Sequence, residues 1–161
     1  MTQYHNIPPV YDKNSRILIL GSFPSVKSRE AQFFYGHPQN RFWKVMSAVL
    51  DCECPVTKEE KKLMLLSHNI AVWDVIGSCE ITGSSDATIS SVVPNDIAGL
   101  VAETSVTRIF TNGATSYNMY KRYCRDNVGI EAVKLPSTSP ANAAFSLERL
   151  ISEWKSQILS Q

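Results

Sequence analysis

No apolar run in the sequence approaches the ~20 residues that a membrane-spanning helix requires. Met1 to Val10 is polar with two prolines, unlike the basic start and apolar centre of a secretory leader. A soluble, cytoplasmic protein with no membrane partner is the expectation. Cysteine is scarce: Cys52, Cys54, Cys79 and Cys124 lack the paired CxxC spacing of a structural zinc site, which leaves reduced thiols in a turn and in the core. His5, His37 and His68 are scattered and form no HxH or HExxH pattern. Neither GxxxxGK[ST] nor GxGxxG occurs, so nucleoside triphosphates and dinucleotides lose weight as ligands. No metal and no cofactor are expected.

Charge of one sign is also lacking overall, at +1, but its distribution is uneven. Residues 1 to 50 sum to +4, residues 51 to 104 to −6, and residues 105 to 161 to +3. If the outer segments meet in space, one face is basic enough to hold a phosphate backbone while the whole stays near neutral. With 161 residues, 43% of them hydrophobic and 19% charged, the chain can bury one sizeable core, which excludes a disordered or fibrous protein. Residues 1–161 are expected to form a single domain.

Arg16 to Leu20 (RILIL), Ile70 to Val75 (IAVWDV), Thr107 to Thr111 (TRIFT) and Glu131 to Leu135 (EAVKL) have the β-branched and leucine-rich character of buried parallel strands. Between them the spacing predicts helices over Arg41 to Leu50, from an N-cap at Thr57 through Ile70, over Pro94 to Glu103, over Ala114 to Asp126, and over Ala143 to Leu159. Gly77 to Val93 is rich in Ser, Thr and Gly with no apolar period, and is expected to be a long functional loop. The alternation predicts an α/β fold: a three-layer α/β/α sandwich around a central four-stranded parallel sheet, with right-handed crossovers. Ligand sites in such sheets lie beyond the carboxyl ends of the strands, which singles out Gly21 to Asn40, Asn112 to Gly113 and Pro136 to Asn142.

The first of these loops is long, aromatic and basic, placing Ser22, Ser25, Lys27, Ser28 and Arg29 where donors can meet a phosphate. Phe33, Phe34 and Tyr35 offer rings on which a base can stack, although anchoring the loop in the core accounts for most of them. Asn112-Gly113 and Pro136 to Pro140 have the composition of ordinary turns and caps. Taken together they offer more: a buried amide presents donor and acceptor to a base edge, and a Ser/Thr turn can hold a phosphate.

GSFPS (Gly21 to Ser25), YGHPQNRFW (Tyr35 to Trp43), FTNG (Phe110 to Gly113) and LPSTSPAN (Leu135 to Asn142), in this order, resemble the uracil-DNA glycosylase superfamily, most closely its hypoxanthine (deoxyinosine) DNA glycosylase branch. The resemblance covers nearly the whole chain. It implies DNA containing a deaminated base as the partner and a hydrolase acting on the N-glycosidic bond in base-excision repair, after flipping the nucleotide from the duplex. It implies a stacking ring at Phe34 or Tyr35, base-edge reading by Asn112, and a base contact at Phe23. Ser25 and Lys27, with Ser137, Thr138, Ser139 and Pro140, would meet phosphates, and Ala141 or Asn142 would sit near the vacated space.

Many relatives carry Asp or Asn two residues after the first glycine, to position the attacking water; here that residue is Phe23. The resembled branch points instead to Asn40 as the catalytic residue, with Glu30 and His37 as nearby titratable alternatives. An amide is no strong base, but glycosidic cleavage with oxocarbenium-like character needs little nucleophilic push. Leu135 stands where efficient uracil excisers have His or Asn, which favours hypoxanthine over uracil or xanthine. Lys27 and Lys44 lie near these motifs but no lysine lies at a Schiff-base position within them, so base removal without strand cleavage follows. A monomer is expected, since a glycosylase needs one open DNA face. The competing readings are a catalytically silent lesion- or DNA-binding module and a nucleoside hydrolase.

Overall fold

A computed structural model describes residues 2–4, 7–24, 26–80 and 90–160. In chain order the elements are β1 (Thr2–Tyr4), β2 (Ile17–Gly21), α1 (Val26–Ala31), α2 (Phe42–Val49), α3 (Lys58–Ser67), β3 (Ile70–Asp74) and β4 (Ile76–Glu80). There follow β5 (Ser90–Pro94), α4 (Ile97–Ala102), β6 (Arg108–Asn112), α5 (Ala114–Tyr123), α6 (Arg125–Val128), β7 (Ala132–Leu135) and α7 (Leu147–Ile158).

The expected parallel sheet is present, in the order β3-β2-β6-β7. The central strand β2 (ILILG) is apolar along its length and β6 (RIFTN) is buried through its middle, because both faces of the sheet are covered, as a parallel sheet between helical layers requires. Ile19, Val72, Phe110 and Leu135 face one core with Phe42, Val45 and Met46 of α2, Leu65 of α3, and Leu150 and Trp154 of α7. Leu18, Leu20, Ala71 and Ile109 face the other with Ile97 and Leu100 of α4 and Tyr120 of α5. Adjacent strand residues thus feed opposite layers, and the result is the three-layer α/β/α arrangement.

Local signals set most boundaries. Thr57 caps α3 in a reciprocal box with Glu60, whose carboxylate is held below its ordinary pKa chiefly by the Thr57 backbone N–H. Asp96 caps α4 and Ser146 caps α7, which therefore starts at Leu147 rather than Ala143. The helix expected to run to Asp126 breaks at Cys124 into α5 and the short α6, which ends on the left-handed Gly129. Within the first loop, residues 26–31 form α1.

The segment from Gly77 to Val93 departs from expectation. Its two ends are strands, β4 and β5, which pair antiparallel and with β1 form a second sheet in the order β1-β4-β5. The pairing of β4 with β5 shifts register between Ile76 and Ser78 and again between Ser78 and Glu80. Such irregularities destroy the strict alternation by which a half-buried strand is recognised. Residues 81–89 of that expected loop lie outside the described residues.

Candidate active site

Strand register places the last residues of the parallel strands along one edge of the sheet. Gly21 pairs with Asp74, and Asn112 with Leu135. Chain connections diverge on either side of β2, since β3 lies to one side and β6 to the other. A crevice outside the carboxyl ends at such a point is where open α/β sheets hold their ligands. A cavity of about 540 Å³ lies there, lined by Gly21 to Pro24, Ser28, Phe34, Tyr35, His37, Asn40, Asp74, Asn112 and Ser137 to Ala141. Its size falls within the range of small-ligand sites.

At one wall, three side chains, one from the end of β6 and two from separate loops, are joined in a directed chain. The Thr138 backbone N–H donates to Asn112 Oδ1 at 3.0 Å, and Asn112 Nδ2 donates to Thr138 Oγ1 at 2.9 Å. Thr138 Oγ1 in turn donates to Asn40 Oδ1 at 2.9 Å, which also accepts the Phe42 backbone N–H at 2.9 Å. Both ends of the chain rest on backbone N–H groups, which can only donate, so the orientation of each amide follows without ambiguity. Asn40 Oδ1 has both lone pairs engaged and turns its NH₂ outward as a donor. Asn112 retains one N–H and one lone pair. Thr138 is fully buried at 0% exposure, so the residue expected at a phosphate instead ties the two asparagines together.

Thr138 is held by a tightly organised turn. Ser137 Oγ accepts from Ser139 N–H, Ser139 Oγ accepts from Ala141 N–H, and Asn142 Nδ2 donates to the Ser137 carbonyl. Each of these two hydroxyls keeps its own hydrogen for a further acceptor, such as a phosphate oxygen. Pro140 and Ala141 form the exposed tip. Behind the turn the Arg41 guanidinium donates to the carbonyls of Ser139, Asn142 and Phe145, while Arg41 N–H donates to the Thr138 carbonyl. Gly113 permits the close approach: its φ is +97°, and a Cβ there would sit 3.1 Å from Ser137 Cβ.

Aromatic rings also line the cavity. Phe34 is 2% exposed, lines the cavity, and meets Phe33 edge-on. Tyr35 has a left-handed backbone (φ +53°) and stacks on Phe42 with centroids 4.0 Å apart, so one face of its ring is taken. Its hydroxyl is buried without a hydrogen bond of acceptable geometry. Burial, then the neighbouring Asp74 carboxyl, raise its pKa against a smaller pull from Asn112. Asp74, 4% exposed, is pushed up to about 7 by burial. A Cβ on Gly21 would lie 2.5 Å from Asp74 Oδ1 and 3.2 Å from the Tyr35 hydroxyl, so the bare glycine opens the floor between them.

Phe23 lines the cavity half-buried, with the Arg29 guanidinium 5.2 Å from its ring centroid. His37 also lines it, its Nδ1 accepting from Gln39 N–H, whereas Glu30 is exposed and outside the lining. Ser25 and the Lys27 side chain lie outside the described residues. Cys52 and Cys54 are exposed and Cys79 and Cys124 buried, and none of the four is in a disulfide. No helix among the described residues is long and apolar enough to cross a membrane.

Two site residues escaped the sequence reading. Asp74 was hidden in a strand pattern, although an acid within a buried apolar run is itself a signal, because carboxylates are seldom fully buried. Arg41 sits beside Asn40 in a tract noted for other reasons, and only the fold shows which carbonyls it gathers.

A family model described as the uracil DNA glycosylase superfamily matches residues 8–159. A hypoxanthine DNA glycosylase of Methanosarcina acetivorans is 38% identical over 149 residues, spanning 92% of this chain and 93% of the relative. One from Methanosarcina barkeri is 32% identical over 149 residues, spanning 91% and 92%. The solution NMR structure of a Methanosarcina acetivorans protein described as a uracil DNA glycosylase superimposes with a TM-score of 0.83 at 34% identity, covering 98% of this chain and 96% of that one.

Proposed function

The chain belongs to the uracil DNA glycosylase superfamily and is a DNA glycosylase, a hydrolase of N-glycosyl bonds, and we propose that it removes a deaminated base, hypoxanthine before uracil or xanthine, without cutting the strand. The observation that carries this reading is the chain from Asn112 through Thr138 to Asn40, which holds two amides at the mouth of one cavity. The damaged nucleotide leaves the duplex at a cost of about a few kcal/mol and enters that cavity. Phe34 is the ring against which the base stacks, since Tyr35 already stacks on Phe42. Asn112 contributes its spare N–H and lone pair to the base edge, and Ser137 and Ser139 meet the backbone with the Pro140 and Ala141 tip beside the gap.

Asn40 acts by position rather than by basicity. Its NH₂ holds the attacking water against the sugar, and its oxygen, occupied twice, is what fixes that NH₂ in place. Orientation of this kind accounts for a large share of a barrier in which bond breaking runs ahead of attack.

The test uses labelled duplexes containing a single inosine, a single uracil or neither, treated with the protein and then with hot alkali. Cleavage at inosine only after alkali is expected, reduced on the order of 10²-fold in Asn40→Ala. Absence of alkali-labile sites in every duplex refutes the reading. Cleavage at uracil alone overturns the choice of base.

A further inference from the structure

Outside the cavity, two lysines from different elements converge on one ring. Lys121 of α5 and Lys134 of β7 hold their ammonium groups 4.8 Å and 5.9 Å from the centroid of Tyr117, and none of the three residues lines the cavity. Among the described residues neither lysine has an acidic partner. α5 contains no Asp or Glu, and the two acids between α5 and β7, Asp126 and Glu131, are both paired with Arg125. Packing alone does not call for this arrangement. A lysine on an edge strand guards against unwanted pairing, which accounts for Lys134 but not for Lys121. A lysine stem can cover an aromatic ring, but one stem suffices. Two like charges drawn to one half-buried ring repel each other, and an anion within reach of both turns that cost into a gain.

The cluster adjoins the Ser/Thr turn. Gly113, just before α5, donates to the Leu135 carbonyl and accepts from the Tyr117 N–H, so the first turn of α5 is tied to the end of β7. Lys134 lies at most about 11 Å along the chain from Ser137, whose hydroxyl keeps its hydrogen for an acceptor. Successive phosphates of one strand advance about 3.4 Å along the duplex axis, so a strand seated on Ser137 and Ser139 and running along this edge brings its next few phosphates to the lysines. We propose that Lys121 and Lys134, held by Tyr117, form a phosphate-binding patch for the arm of DNA that flanks the damaged nucleotide on the β7 side. The Tyr117 ring keeps the two ammonium groups in place without neutralising them, as a carboxylate would. This rests on the glycosylase reading above and adds to it a contact area outside the cavity, which holds backbone and reads no sequence. It also gives a location to part of the +3 carried by residues 105 to 161.

The test uses a labelled duplex carrying a tetrahydrofuran abasic-site analogue, which has no base to lose and fixes where the protein sits. Anisotropy between about 50 and 200 mM salt gives the salt dependence of its affinity. Each phosphate contact contributes about 0.9 to that slope, so Lys121→Gln and Lys134→Gln are each expected to lower it by about 0.9 and the double variant by about 1.8. Lys121→Arg combined with Lys134→Arg keeps both charges and the wild-type slope. Lys13→Gln removes the same charge near the amino end of β2, at the opposite edge of the sheet, and leaves the slope unchanged. Shortening the duplex on one side of the analogue brings the wild-type slope down to that of the double variant; shortening the other side does not. An unchanged slope in the double variant overturns the proposal, as does an equal fall in Lys13→Gln or an equal effect of shortening either arm. If the double Gln variant does not fold, the arm lengths on wild-type protein and the Arg variant still decide. A failure of the glycosylase reading shows separately, as inosine duplexes without abasic sites.

Discussion

Asp74→Asn should make the protein more stable at high pH, and the size of the gain follows from where the carboxyl is held. Its pKa is pushed from the ordinary 3.8 to about 7 by burial. The folded state therefore binds this proton more tightly than the unfolded chain, and stability is lost as pH rises from about 4 to about 7, levelling off above. This is the reverse of a salt-bridged aspartate, whose contribution is lost on acidification. With 1.36 kcal/mol per unit, the full penalty is about 4 kcal/mol, of which about 2.5 kcal/mol accrues between pH 5 and pH 8. Asparagine has the same shape and no proton to lose. Urea unfolding of both proteins at pH 5 and pH 8, followed by fluorescence of the buried Trp43 and Trp154, measures the difference. Packing changes independent of pH, and every other titrating group, cancel when the two pH values are subtracted. The wild type should lose about 2.5 kcal/mol more than the variant, or about 5 to 10 °C in midpoint for a chain of this length. Parallel loss in the two proteins would refute the argument, because the carboxyl would then ionise as if in water.

Thr138→Val removes the hydroxyl between the asparagines and should slow base release on the order of 10²-fold, with Thr138→Ser restoring most of it; single-turnover kinetics on an inosine duplex show this. Arg41→Met leaves the carbonyls of Ser139, Asn142 and Phe145 without their donor and should cost about 2 to 4 kcal/mol in chemical unfolding. Gly113→Ala adds a Cβ against Ser137 at a left-handed φ, and should destabilise by about 1 to 3 kcal/mol in the same assay. Gly21→Ala fills the floor beside Asp74 and should abolish base release while leaving non-specific duplex affinity within about twofold, measured by fluorescence anisotropy at fixed salt.

The central sheet was legible because buried parallel strands are apolar on both faces, so RILIL and IAVWD stand out as runs whatever their partners. The Thr57 N-cap was legible because its chemistry is local. β4 and β5 were not, since IGSCE and SSVVP are short and their pairing slips register twice. The site divides along the same line. Asn40, Asn112 and the Ser/Thr turn could be singled out from their tracts, but Ser137, Thr138 and Ser139 are chemically alike in sequence. Only the 26-residue reach from Asn112 shows that the middle hydroxyl is buried between two amides. Asp74 could not be placed from its own segment, because its meaning depends on standing opposite Gly21.

The chain of hydrogen bonds that aims Asn40 ends on the Phe42 and Thr138 backbone N–H groups, and every link within it is an amide or a hydroxyl. None of these groups titrates between pH 5 and pH 9. The position of the Asn40 NH₂ is therefore insensitive to pH, whereas the cavity floor is not, since Asp74 changes charge near pH 7. The asparagine wall and the cavity floor thus respond to different variables although they share one cavity. The factor by which Asn40→Ala slows base release should accordingly be the same at pH 6 and pH 8, even where both absolute rates differ. A factor that changed severalfold across that interval would mean that the water-holding wall is coupled to a titrating group, and that the backbone anchors do not fix the amide.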